Sequence, residues 1–142
     1  MISRRRFLTS VAIGLAPIGA AAHAQEYKAQ QADKIARIGY LSPNLATGPH
    51  LREAFRKGLR DLGYVEGRNL VIEDRDAEGK VVERIPALAA ELVALKVDVI
   101  VTEGGSTVVP LAAKRATRTL PIVFASVADP VGSGLVTSLR RP

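Results

Sequence analysis

An α/β fold, doubly wound around a parallel sheet with strand order 2-1-3-4, is what the sequence predicts, on three observations. Short apolar runs alternate with longer segments whose apolar residues recur at helical spacing. Turn-forming residues, among them Ser42-Pro43-Asn44, Gly63 and Gly104-Gly105, mark each change of period. One helix-like segment separates each strand-like run from the next, as parallel neighbours require, because their crossovers are long, helical and right-handed.

The elements follow in order. Ile35 to Leu41 (IARIGYL) reads as a buried strand closed by Ser42-Pro43-Asn44. In the next segment Leu51, Ala54, Phe55, Leu59 and Leu62 make one apolar helix face, which turns Arg52, Arg56, Lys57 and Arg60 outward. Gly63 supplies the positive φ that commonly ends a helix. Asn69 to Asp74 alternates apolar and polar, the pattern of a more exposed strand. Ile85, Leu88, Ala89, Leu92 and Leu95 form a second stripe, with Pro86 expected near the helix start, where the early amides have no helical acceptor to lose. Val97 to Thr102 and Leu120 to Ala125 are the third and fourth strands. The helix between them carries Val109, Ala112, Ala113 and Ala116 inward, with Pro110 at or before its first turn. Lys114, Arg115 and Arg118 sit near its end, where the dipole favours cations.

That strand order predicts where a ligand sits. In open parallel sheets ligands bind beyond the carboxyl ends of the strands, where the order reverses, here between strands one and three. Ser42, Pro43 and Asn44 leave strand one there, and Gly104, Gly105, Ser106 and Thr107 leave strand three. Glycines let a backbone approach closely, and free amides at a helix start receive an anion. Ser106 or Thr107 equally serves as a helix cap. Strand four delivers Ser126 and Asp129 to the same rim. Asp129 before Pro130 suits an N-cap with proline at the first helical position, and its carboxylate is also suited to an ammonium group. The glycines match neither G-x-G-x-x-G nor a P-loop, so no nucleotide cofactor is expected.

Composition narrows the function classes. A chain of 142 residues with 47% hydrophobic content is sized for one globular core. The net charge of +6 is concentrated at the start: Arg4, Arg5 and Arg6 lie in a segment, 1–24, that holds no acid. Without it 17 cations face 14 anions, a weak surplus. Aromatic residues are 4% of the chain, too few for base-stacking platforms, so no nucleic-acid partner is expected. The absence of cysteine excludes disulfides, thiolate metal sites, a cysteine nucleophile and a lipid-modified cysteine. No catalytic set is visible: His23 is expected to leave with a signal peptide and His50 stands alone. Glu73, Asp74 and Asp76 read as a solvated acidic run rather than a metal site.

Residues 1–24 read as an export signal. Basic residues precede the apolar run from Phe7 to Ala22, broken by Pro17, and Ala22-His23-Ala24 gives a small-x-small site with cleavage expected after Ala24. The run is shorter than the roughly 20 apolar residues of a membrane-spanning helix, so the mature chain is not expected to span a membrane. Ser3 to Thr9 (SRRRFLT) resembles a twin-arginine signal with Arg4 and Arg5 as its pair, which implies the periplasm; general secretory export is the alternative. Residues 25–34 form a polar leader and 35–142 the folded lobe.

Four stretches carry a family resemblance: ARIGYLSP from Ala36, EAFRKGLRDLGYVEGRNLVIEDRDAEG from Glu53, IPALAAELVALKVDVIV from Ile85, and LAAKRATRTLPIVFASVADPVGSGLVTSLRRP from Leu111. The chain resembles the ABC transporter substrate-binding proteins of the tryptophan/tyrosine-uptake-like family. The resemblance implies the type 1 periplasmic binding-protein fold, with solute held between two lobes. It also implies a receptor that presents a small solute, such as an amino acid, to a membrane permease. Family members commonly have a Gly-Thr-Pro-like turn where this chain has Thr102 to Thr107, so the solute does not carry over. The family pattern continues past Pro142 into a second lobe, so the expectation is one lobe of a binding protein, apparently cut short. A small α/β enzyme domain and a non-functional fragment are the alternatives, since fold alone does not decide function.

Overall fold

The computed structural model describes residues 34–140. The expected export signal, and all but the last residue of the expected leader, lie outside the described residues. Four strands, β1 (Ala36–Ser42), β2 (Leu70–Asp76), β3 (Val99–Thr102) and β4 (Ile122–Phe124), form one parallel sheet in the order β2-β1-β3-β4. Three helices make the crossovers: α1 (Pro49–Asp61), α2 (Val81–Ala94) and α3 (Val108–Ala116), with a short 3₁₀ turn, Leu45–Thr47, before α1. The expected fold class and strand order are therefore those of the molecule.

Because side chains alternate across a strand, β1 feeds two different cores. Leu41 points to one face and packs with Ile100 of β3 against Ile85, Leu88, Ala89 and Leu92 of α2 and Val109, Ala112 and Ala113 of α3, all buried. The stripes expected on these two helices are the ones that face the sheet. Gly39 lies on the same face, where a Cβ would come within 3.0 Å of both Leu92 methyls, so glycine here lets α2 lie close to the strand. On the other face Ile38, Tyr40, Leu70 and Val101 pack with Phe55 and Leu59 of α1.

Two expectations about the helices are corrected. α1 is rotated from the face its leucines suggest. Leu51 and Leu62 are 50% and 76% exposed, Ala54 is exposed, and Arg52, expected outside, is buried against the sheet. The guanidinium of Arg52 lies 4.5 Å above the Tyr40 ring centroid and pairs with Asp74 of β2. The Tyr40 ring and the Asp74 carboxylate give the Arg52 guanidinium a cation–π contact and an ion pair on the sheet, which favours Arg52 over a leucine at the buried position. Pro86, expected near the start of α2 among amides with no helical acceptor, lies past that first turn: the helix starts at Val81, and Pro86 is inside it. Its missing donor leaves the Val82 carbonyl without a helical partner. Val82 is 78% exposed, so water can satisfy that carbonyl.

The end of α1 follows the sequence closely. Gly63, at φ +88, donates its N–H to Arg60 O, and Tyr64 N–H reaches Leu59 O, the paired bonds of a glycine-closed helix terminus. Pro110 falls within the first turn of α3, where its missing donor costs nothing.

Candidate functional site at the carboxyl edge of the sheet

The register brings the strand exits level. Ser42 pairs with Asp76, Leu41 with Thr102, and Thr102 with Phe124, so the loops that follow all four strands leave from one edge. Several contacts draw these loops together. The Pro43 carbonyl accepts Gly79 N–H at 2.9 Å, and Asp76 Oδ1 accepts Leu45 N–H at 3.2 Å, which ties the β1 exit to the β2 exit. At Gly104, φ +90, a Cβ would stand 3.1 Å from Pro43 Cγ, so only glycine fits both the backbone and the space between the β1 and β3 exits. Gly105 brings the β3 exit alongside β4, with its Cβ position 3.6 Å from Ser126 O.

Beneath this rim runs a buried polar network. Tyr40, Ser42 and Glu103 face the same side of the sheet. Ser42 Oγ donates to Glu103 Oε1 at 2.8 Å, and the Tyr40 hydroxyl donates to Glu103 Oε2. Ser42 Oγ in turn accepts Asn44 N–H at 3.2 Å. Glu103 is 7% exposed and is balanced by two neutral hydroxyls; among the described residues it forms no ion pair. A buried carboxylate is tolerated only when its lone pairs are met, which these hydroxyls do. Burial first, and then the bond to Glu103, hold the Tyr40 phenol well above its ordinary titration range, so Tyr40 stays a donor.

The opposite edge has a different character. Lys34 and the Arg37 amide hold Asp98, at 2.6 and 2.8 Å, and keep its carboxyl below the usual carboxylate range. A groove of about 450 Å³ opens along the β4 edge, lined by Pro110, Lys114, Leu120, Ile122, Phe124 and Leu135 among others.

Comparison with known proteins then bears on this lobe. The profile of the family described as ABC transporter substrate binding protein matches residues 48–142. The chain belongs to that family. A tyrosine-binding protein of Clostridioides difficile strain R20291 is 36% identical over 91 residues, which are 64% of this chain and 26% of the relative. Among solved structures, a conserved domain protein from Vibrio cholerae O1 biovar eltor is similar at TM-score 0.68 and 33% identity, covering 75% of this chain and 35% of that one. An ABC domain from Streptococcus pneumonia in complex with L-Trp is similar at TM-score 0.67 and 27% identity, again over 75% and 35%. The chain thus spans about a quarter of the curated relative's length and about a third of each structure's.

Within this substrate-binding-family lobe, the residues expected at the ligand rim fall into three kinds. Pro43, Asn44, Gly104, Gly105, Ser106 and Thr107 lie together at the β1 and β3 exits, half-buried or exposed. Asn44 caps the 3₁₀ turn through Ala46 N–H at 3.0 Å. Ser106, not Thr107, supplies a side-chain bond at the start of α3, to Val108 N–H at 3.2 Å. Ser42 has no exposed surface, and its hydroxyl is spent on Glu103, so it lies beneath the rim. Ser126 and Asp129 follow β4, both exposed, with Ser126 beside Gly105 at φ +59. No helix begins at Asp129: its Oδ1 accepts Gly132 N–H at 2.7 Å and closes a turn. Pro130 starts the turn, and Gly134, at φ +75, takes the chain out of helical geometry.

Tyr40 and Glu103 are not among the residues expected at the site, and Arg52 and Asp74 were expected to face solvent. Asp74 and Asp76 are not a solvated run: Asp74 pairs with Arg52, and Asp76 caps the Leu45 and Glu78 amides. The available signal was Glu103 itself, a charge placed one residue after the apolar run Val99–Val101 and directly before two glycines.

Proposed function

We propose that this chain is the solute-binding component of an ABC-type uptake transporter, with its ligand at the carboxyl edge of the sheet. The observation that carries the reading is the convergence of the β1, β3 and β4 exits, with Gly104 and Gly105 held against Pro43 and Ser126. Family membership and relatives named for tyrosine and L-Trp favour an amino acid as the solute. Asn44, Gly104, Gly105, Ser106 and Thr107 form the near side of the cleft, where half-exposed amides and hydroxyls suit a carboxylate. Ser126 and Asp129 form its margin.

Residues 1–24 act as the export signal, with Arg4 and Arg5 as a twin-arginine pair, and the mature protein works in the periplasm beside a membrane permease. Among the described residues no helix is long and apolar enough to cross a membrane. The site holds a solute by shape, amides and hydroxyls, so no catalytic step is assigned to it.

Thermal unfolding of the chain against the twenty amino acids tests this reading. The expected outcome is an upward midpoint shift with L-tyrosine or L-tryptophan that grows with concentration, because binding to the folded state alone stabilises by mass action. A flat response to every amino acid would contradict it.

A further inference from the structure

We propose that Glu103 is a positioning residue: its buried carboxylate ties the loop leaving β1 to the loop leaving β3 and so sets the shape of the ligand rim. The inference rests on the solute-binding reading only for its consequence; the tie itself is a property of the lobe.

The geometry is a strap across the topological switch point. Glu103 immediately follows β3, and both its oxygens reach β1, one to Tyr40 and one to Ser42. Ser42 relays the pull outward, because its oxygen accepts Asn44 N–H at 3.2 Å while its proton goes to Glu103. Asn44 in turn caps the 3₁₀ turn Leu45–Thr47 that leads into α1. The carboxylate also lies beside the start of that helix, with Oε1 4.0 Å from the Cβ position of Gly48. One side chain thus fixes the direction in which the β1 exit leaves the sheet. A carboxylate suits the task because it accepts from both hydroxyls at once, whereas an amide has one acceptor oxygen. Tyr40 is braced independently, by Phe55 at 5.2 Å between ring centroids and by Arg52 above its face, so its hydroxyl is not needed to hold the exit loop.

This division of labour makes the strap testable without a ligand. Amide exchange of the full chain is to be measured by NMR for wild type, E103A, E103Q, S42A and Y40F. The strap predicts that E103A and S42A raise exchange at Asn44 to Thr47 by about tenfold or more relative to Ile38 to Leu41. E103Q should lie between them and wild type, and Y40F should leave the loop as in wild type, even with a lower unfolding midpoint. Should E103A fail to fold, S42A and E103Q carry the test. A uniform rise across β1 and the loop in E103A and S42A, or no rise in either, would overturn the proposal. So would a loop that Y40F loosens as much as S42A does.

In a parallel titration with L-tyrosine and L-tryptophan, S42A and E103A are expected to weaken binding by about tenfold, whereas Y40F should bind as wild type does even with a lower unfolding midpoint. If the wild type binds neither amino acid, the functional reading fails while the exchange data still decide the strap.

Discussion

The two faces of the sheet are built on different principles. The face under α2 and α3 is held mainly by apolar packing: eleven buried residues, from Leu41 to Ala113, interlock, and its charged residues Glu73 and Arg75 stand on β2 at its margin, where Arg75 pairs with Glu91 of α2. The face under α1 buries three aliphatic residues, Ile38, Leu70 and Val101, and completes itself with Arg52, Asp74, Tyr40, Ser42 and Glu103. Apolar packing is non-directional and tolerates any arrangement that fills space, so it supplies stability. Hydrogen bonds to ionised groups are directional and fail when one partner moves, so they fix positions. The polar face is the one that reaches the rim through Ser42 and Glu103, which is where a binding lobe needs fixed positions more than added stability.

The largest effect that would break this comparison belongs to the apolar face. Leu92 is wholly buried and is the side chain that Gly39 makes room for. Leu92→Ala is expected to cost about 2–5 kcal/mol in urea unfolding, from lost burial plus the cavity left behind. It should leave exchange at the β1 exit loop unchanged relative to the rest of the lobe. If the loop loosened selectively, the two faces would not be separable.

A smaller effect sharpens the polar face through pH. The Tyr40 titration is raised in the folded state, so the folded protein keeps a proton that the unfolded chain gives up above its ordinary value of about 10. Its contribution is therefore complete below about pH 10 and is lost as pH rises beyond that. Unfolding free energy measured from pH 8 to 11.5 should fall more steeply for wild type than for Tyr40→Phe. Equal slopes would mean that Tyr40 is not held protonated by burial and Glu103.

Legibility in the sequence divides along the same line. The stripes of α2 and α3, the strand order and the glycine stop at Gly63 follow from local periodicity and turn chemistry, and the sheet-facing side of both helices was readable residue by residue. The side of α1 that faces the sheet was not. Leu51, Ala54 and Leu62 give a plausible stripe, and nothing local shows that Tyr40 and Asp74, on two paired strands, offer Arg52 a ring and a counter-charge. Glu103 is hidden for the same reason, since its partners lie 61 and 63 residues away and only the β1–β3 register brings them together. At the rim, that the loops after β1, β3 and β4 leave from one edge was readable from the strand order. That Ser42 lies beneath it, and that Asp129 closes a turn instead of starting a helix, depend on contacts the sequence does not display.

The proposed function requires that solute meet this lobe at the carboxyl edge of the sheet. The most direct test is amide chemical-shift mapping of the full chain during titration with L-tyrosine and with L-tryptophan. The expected shifts saturate and cluster at Asn44 to Gly48, Gly104 to Thr107 and Ser126. Saturating shifts confined to the Lys114–Leu120 groove or to the Asp98 edge would contradict it.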